Sequence, residues 1–424
     1  MKVRYIYSAC IEIETPDIRI LTDPWFTPGA YDGAWYQFPE LKEPLSVIKE
    51  PDVIYISHIH PDHYDPIFIK KLFERYGEKP VLIPSFEKNY LYHKAKADGI
   101  RVTEVNEIKY GDTNIHIIPN VHGSDSDIDS ALFVNYKDKN LLNLNDCIES
   151  PKHVYELKTI INQYCDKLDL LALGYTGAGP FPQTYYELSD PELLIKAELK
   201  KQQFFKRYIS YTEHFDSTYH LPFAGKYMLA GKLTELNDFR GVADAFEVKS
   251  FDSKAIVLAD HGNGEIDLAS GHISAQREQL YSHQDYEARK AELKDKKLDY
   301  ENEIYVPIEK IKFRKLLFES LVKARSKSEL AEDYFFVFHI HINDKKVLTL
   351  ALNCNKYSEV ELLEQYEGLE PRSEYHVDYR HFFGCLTGLY HWNNAEVASF
   401  INVRRVPNIH NARAQAFLNF LSVA

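Results

Sequence analysis

The chain has 424 residues, 45% of them hydrophobic and 27% charged, with a formal net charge of −13. That length exceeds one average domain and predicts two. The acidic surplus excludes nucleic acid as a natural partner, because no basic patch exists to neutralise phosphates; no apolar run reaches the roughly 18 residues that a membrane span needs.

The first segments read as strands, Val3 to Ile13 and Ile18 to Thr22, joined by a turn at Thr15-Pro16-Asp17. A Gly- and aromatic-rich loop follows Asp23-Pro24-Trp25-Phe26. Its Trp25, Trp35 and Tyr36 are candidates to wall a substrate pocket, since aromatic faces hold sugars and apolar groups; packing is the other reading. Leu41 to Lys49 is predicted helical. Val53 to Ile56, short, apolar and β-branched, reads as a buried strand.

Immediately beyond it stand His58, His60, Asp62 and His63. Two histidines two apart in extended backbone aim the same way. Pro61 bends the chain so that Asp62 and His63 approach from another side. Imidazole plus carboxylate suits zinc, iron or manganese rather than calcium or magnesium, and the two groupings allow two adjacent ions.

Pro66 to Tyr76 has the apolar spacing of a helix on a sheet. Val81 to Pro84, Val102 to Asn106 and Ile115 to Pro119 read as strands, and Tyr90 to Asp98 as a helix ending at Gly99. Ala131 to Tyr136 and Asn140 to Leu144 form a hairpin ending in Asn145-Asp146-Cys147. Leu168 to Leu173 is a buried strand running into a glycine-rich turn after Tyr175, a further pocket candidate. Asp190 to Arg207 is an amphipathic helix, and His220 to Gly225 closes another strand. Alternating strands and helices indicate a layered α/β domain.

Residues 271–300 are polar and read as a helical linker; 301–424 form a smaller α+β unit. In it Tyr334 to Ile342 and Lys346 to Leu352 make a hairpin about Asn343-Asp344-Lys345. Its His339 and His341 mimic the earlier motif without the following Asp-His and are read as structural or surface. The tail ends in an apolar helix, Ala412 to Leu421. This unit is expected to contribute no ligand to the metal site, and to serve substrate capture or dimerisation. The five cysteines (Cys10, Cys147, Cys165, Cys354, Cys385) are odd in number and scattered, which fits a reducing cytoplasm rather than a disulfide framework. The N-terminus enters a strand directly and lacks a signal-peptide core.

The motif His58-x-His60-x-Asp62-His63 after an apolar strand resembles the signature of the metallo-β-lactamase superfamily, which implies an αββα sandwich over residues 1–270. His122, just beyond a strand end, is placed to complete the first metal's shell, and Asp146 is the bridging carboxylate. In such folds a last His serves the second metal. Phe223-Ala224-Gly225 occupies that place here, and His214, His220 and His261 are poorly spaced substitutes.

Thr22-Asp23-Pro24-Trp25, the motif itself, Val121-His122, Leu142 to Cys147, Gly177 to Pro182 and Pro222-Phe223-x-Gly225 are together similar to the metallo-β-lactamase-like domain of CMP-N-acetylneuraminate hydroxylases, the missing His included. The resemblance implies His58, His60, Asp62, His63, His122 and Asp146 as metal ligands for one or two ions, with Asp62 and Asp146 also catalytic. That family's Rieske centre needs Cys-x-His and Cys-x-x-His pairs; the cysteines here have no such neighbours, so electrons are expected from a separate donor or from the substrate. The C-terminal unit is loosely similar to sterol-carrier-like domains. The resemblance favours an iron-dependent hydroxylase acting on a small polar metabolite; superfamily precedent favours a zinc hydrolase, and a non-catalytic metal-binding protein is the remote alternative. The partners this implies are a small-molecule substrate, the electron donor and a second copy of the chain.

Overall fold

The computed structural model describes the chain except residues 121–127, 148–149, 329, 331, 356–359 and 363–365. Two large sheets face each other. The first has eight strands, in the order His272–Ile273, Glu265–Asp267, Lys2–Tyr7, Cys10–Glu14, Arg19–Thr22, Val53–Tyr55, Val81–Ile83 and Val102–Glu104. The second has six, Ser217–Phe223, Leu168–Gly174, Lys139–Asn143, Ser130–Tyr136, Thr113–Pro119 and Glu107–Tyr110. Val3, Ile11, Ile20 and Val53 of the first meet Ile115, Leu132, Leu170 and Leu221 of the second in one buried cluster. Helices cover both outer faces. Leu72 of helix Pro66–Tyr76 packs on the first sheet. Val154 and Tyr208, of helices Pro151–Ile161 and Glu192–His214, pack on the second. This is the α/β layering of the metallo-β-lactamase fold; a further α/β region follows it.

That region holds a five-stranded sheet, Val360–Leu362, Lys345–Asn353, Phe335–Ile342, Arg372–Asp378 and Asn402–Val406. Phe336, Phe338 and Tyr375 on one face pack with Leu317, Phe382 and Phe417 of the helices. The same cluster continues into Trp25, Trp35 and Phe68, so apolar packing is unbroken from the N-terminal layers into this region. Helix His283–Leu293 is also tied down. Leu293 is buried with Phe38 and Met228, and Arg289 is paired with Glu40 at 3.0 Å. No described helix is long and apolar enough to cross a membrane.

Several boundaries differ from the sequence expectation. The first strand is broken at Ser8, whose φ of 51° is left-handed, and the expected helix at 41–49 is only the turn Pro44–Val47. The helix begun near Asp190 runs on to His214. Strands Trp35–Gln37, Glu107–Tyr110 and Tyr227–Leu229 lacked a readable signal; Glu107–Tyr110 is an edge strand whose polar residues are outward.

The aromatic loop winds through a left-handed stretch, with φ of 82° at Gly29, 54° at Tyr31, 57° at Asp32 and 89° at Gly33. A Cβ on Gly33 would stand 2.9 Å from the Asp299 amide nitrogen, so only glycine fits. Burial, then Asp299 and Glu303, push the Asp32 carboxyl up to about 7. Its folded value lies above its unfolded one, so the stability it contributes is full below the usual carboxylate range and is lost as pH rises through about 7. Asn tolerates the same backbone. Asp32→Asn is expected to be more stable than the parent at pH 8, by roughly 1–3 kcal/mol. That advantage should vanish near pH 4 in urea unfolding.

Candidate metal centre

The site begins where strand Val53–Tyr55 ends. Ser57 and His58 are fully buried. The chain then makes a tight turn, with the His63 and Tyr64 amides donating to the His60 carbonyl. Asp65 closes it. Its carboxylate caps helix Pro66–Tyr76 through the Phe68 amide at 2.9 Å and also accepts from the Phe26 and Thr27 amides and the Thr27 hydroxyl. One side chain thus fixes the helix, the motif and the aromatic loop together.

The donors converge. His58 Nε2 is 2.9 Å from His60 Nδ1. His63 Nε2 faces Asp62 Oδ2 at 3.7 Å and Asp146 Oδ2 at 3.6 Å. Ligand atoms of His58, His63 and Asp146 lie within 4.8 Å of one another. These five side chains exceed the four ligands of a tetrahedral ion, so the set has room for two. His122 lies outside the described residues.

Each imidazole is oriented by a partner at its other nitrogen. Asp23, buried and left-handed at φ 37°, holds His63 Nδ1 at 3.0 Å and is itself fixed by the Ser57 amide and hydroxyl. His58 Nδ1 is 2.9 Å from the Ser57 hydroxyl and 3.4 Å from Asp129 Oδ1. His60 Nε2 is 3.2 Å from Asn393 Oδ1, which comes from the C-terminal region. Tyr31 donates to Asp62 Oδ1 at 2.7 Å. Such outer partners set which nitrogen stays free for a metal. Ser57, Asp23, Asp129, Tyr31 and Asn393 escaped the sequence reading. Asp23 alone had a signal, the Asp-Pro turn at a strand end.

Burial pulls the His58 imidazole to lower values, aided by His63 and His60. Burial likewise dominates at His60, against the pull of Asp62. At His63 burial is outweighed by Asp62 and Asp23, joined by Asp146, and the net shift is upward. The Asp146 carboxyl is held low, because His63 outweighs its burial. The centre therefore carries two neutral imidazoles, a cationic one and carboxylates, and a divalent cation can replace the His63 proton among the same oxygens.

The donors open onto a cleft of about 330 Å³. Trp25, Trp35, Tyr31 and Tyr227 line one side, and Phe204, Arg207 and Tyr211 line another. Trp35 stacks on Tyr227 with centroids 3.4 Å apart. Tyr36 and Tyr175, the other pocket candidates, are not among the lining residues: Tyr36 packs against the Phe38 and Met228 cluster, and Tyr175 is buried behind Gly225. A larger hollow of about 740 Å³, beside Phe318 and Leu348, holds no histidine.

The place for a last ligand is closed to a side chain. A Cβ on Gly225 would lie 2.6 Å from the Tyr175 ring, and Ala224 has a φ of 59°. None of the proposed substitutes takes its role. His214 bonds the Ser210 carbonyl, His220 is held by Asp252 at 2.7 Å, and His261 lies 3.5 Å from the Pro39 carbonyl.

Removing the Asn393 amide leaves His60 Nε2 without its acceptor. Asn393→Ala is expected to weaken metal binding about tenfold with little change in fold, and Asn393→Asp to restore most of it. Chelator competition measures both.

A family profile described as a beta-lactamase superfamily domain matches residues 2–145. The cytidine monophosphate-N-acetylneuraminic acid hydroxylase of Pongo pygmaeus is 25% identical over 238 residues, 54% of this chain and 39% of that protein. The chain thus spans less than half the length of the curated relatives it matches. Among solved structures, it is similar to a possible metal-dependent hydrolase from Veillonella parvula (11% identity, TM-score 0.43, covering 63% of this chain and 98% of that one). It is also similar to CmlA, a diiron beta-hydroxylase from Streptomyces venezuelae (16% identity, TM-score 0.40, covering 60% and 52%). Residues 2–145 thus match a beta-lactamase superfamily domain, and the chain has distant homology, at 25% identity, to the cytidine monophosphate-N-acetylneuraminic acid hydroxylases.

Proposed function

We propose that the protein is a metal-dependent hydroxylase, using iron and dioxygen on a small polar metabolite. The observation that carries this reading is the make-up of the half-site around His63. It offers Asp62 and Asp146 beside one imidazole, with Gly225 where a further ligand would stand. A carboxylate-rich site with open positions suits iron better than a closed zinc site does. The homology to hydroxylases supports the same reading.

Bound iron would supply the redox chemistry with dioxygen. The chain's own residues do the rest. Tyr31 keeps Asp62 fixed through its hydroxyl, and its own phenol is held neutral by burial and by Asp62. Its proton therefore stays at that oxygen, and the other oxygen of Asp62 is left to face His63. The Trp35–Tyr227 stack makes a dry wall beside the donors. Arg207, with Phe204 and Tyr211 beside its guanidinium, supplies positive charge opposite the carboxylates, which suits a substrate bearing an anionic group. A zinc-dependent hydrolase is the second reading, favoured by the imidazole pair His58 and His60.

Arg207→Ala is expected to raise KM about 10- to 100-fold, the worth of a hydrogen bond to a charged group, with a smaller effect on kcat. Arg207→Lys should recover part of it. Steady-state kinetics across anionic and neutral candidate substrates test this. The hydroxylase reading itself is tested by dioxygen uptake coupled to product; turnover without dioxygen in the zinc-loaded chain overturns it.

A further inference from the structure

The C-terminal sheet carries a second grouping of ligand-type side chains that shares no residue with the cleft. Strands Phe335–Ile342 and Arg372–Asp378 pair in parallel, with His339 opposite His376 and Val337 opposite Glu374. Alternation puts His339 and His341 on the same face as Glu374 and His376, while Phe336, Phe338 and Tyr375 fill the other face. Ligand atoms of His339, Glu374 and His376 lie within 4.8 Å of one another. His341 Nε2 is 3.2 Å from His376 Nδ1.

Three orienting contacts match what a metal site requires. Thr349, from strand Lys345–Asn353, lies 3.2 Å from His339 Nδ1 and so engages that nitrogen. His339 Nε2, in a fully buried side chain, makes no close hydrogen bond among the described residues and faces Glu374 Oε2 at 3.5 Å. Arg372 takes the other carboxylate oxygen, Oε1, at 2.7 Å. The free imidazole nitrogen and the free carboxylate oxygen are thus aimed at the same gap. A buried nitrogen whose nearest described partner is a carboxylate oxygen 3.5 Å away is poorly satisfied unless something occupies that gap. Arg372 and the nearby Lys346 oppose a cation, but Arg372 is already neutralised by Glu374 and also donates to the Leu369 carbonyl.

We propose that His339, Glu374 and His376, with His341 at the rim, form a second metal site for a zinc-class divalent ion. Two or three imidazoles and one carboxylate are a zinc donor set. Ligands about 2.0–2.2 Å from such an ion stand at most about 4.4 Å apart, within a small side-chain adjustment of the present spacing. Its part is to clamp two neighbouring strands of the C-terminal sheet. The sequence pattern of His339 and His341 alone lacked its partners, which lie over 30 residues further on.

The test uses the full-length chain without a polyhistidine tag, dialysed against zinc and, in parallel, cobalt(II). His376→Ala and Glu374→Gln are each expected to lose one equivalent of bound zinc relative to the parent. They should also lose the visible bands of tetrahedral cobalt and the zinc-dependent part of the thermal midpoint. His341→Ala, at the half-exposed rim, should weaken binding by about tenfold while leaving the fold intact by circular dichroism. His60→Ala should leave this equivalent in place, which separates it from the cleft. Unchanged zinc stoichiometry in all three C-terminal variants overturns the proposal. So does loss of the equivalent only in variants whose circular dichroism shows unfolding, with His341→Ala unaffected.

Discussion

The His60→Ala, Asp62→Ala double variant is expected to lose tight metal binding in the cleft while the α/β layers stay folded. His60 and Asp62 sit in the turn after the buried strand, and neither is fully buried, so truncating them removes donors without emptying the core. Each change also frees a group. His58 Nε2 loses its neighbour at 2.9 Å, and His63 loses the carboxylate that does most to raise it. With Asp62 gone, His63 gives up its proton more readily, but His58, His63 and Asp146 are then all that remains of the five donors, too small a set to hold a transition metal as tightly as the parent does. Elemental analysis of dialysed protein reads the outcome, after correction for the C-terminal equivalent. Full retention of cleft metal in the double variant overturns the ligand assignment. The parent's affinity should fall as pH drops, because each ligand must be deprotonated and His63 holds its proton unusually firmly.

Parts of this arrangement were legible in the sequence, and the reason is locality. Helix Pro66–Tyr76 appears at its expected bounds because apolar spacing, a capping Asp65 and Pro66 at the first position all agree within one short stretch. His58, His60, Asp62 and His63 were legible for the same reason. Other features depend on distant pairing. Asn393 reaches His60 across 333 positions, and Asp23 reaches His63 across 40. Glu374 and His376 meet His339 only because two strands align in parallel. Local rules failed where tertiary context decides. The polarity of helix His283–Leu293 hid the buried Leu293, and the Leu41 to Lys49 stretch yields to Pro44 and the ties that hold its neighbours. Tyr36 and Tyr175 looked like pocket aromatics by neighbourhood, yet Tyr36 packs with Phe38 and Met228 and Tyr175 lies against Gly225.

Iron reconstitution with a reductant is expected to give product formation that consumes dioxygen, and zinc reconstitution of the same preparation is expected to give none. The argument rests on what each ion can do in this donor set. Zinc has no accessible redox change and prefers four ligands in a closed tetrahedron. The half-site around His63 gives it one imidazole and two carboxylates, and Gly225 cannot be replaced by a larger side chain without displacing Tyr175. Iron tolerates carboxylate-rich sets with open positions. Zinc chemistry needs instead only a bound water brought towards neutral pKa and a scissile group beside it, so the zinc form would work equally well without air. The decisive comparison is therefore anaerobic against aerobic turnover for each ion, with anionic substrates chosen to engage Arg207. Dioxygen uptake matched to product by the iron form, abolished in Asp62→Ala, is the expected result. Robust anaerobic turnover by the zinc form installs the hydrolase in its place, with His58 and His60 as the principal ligands and the fold unchanged.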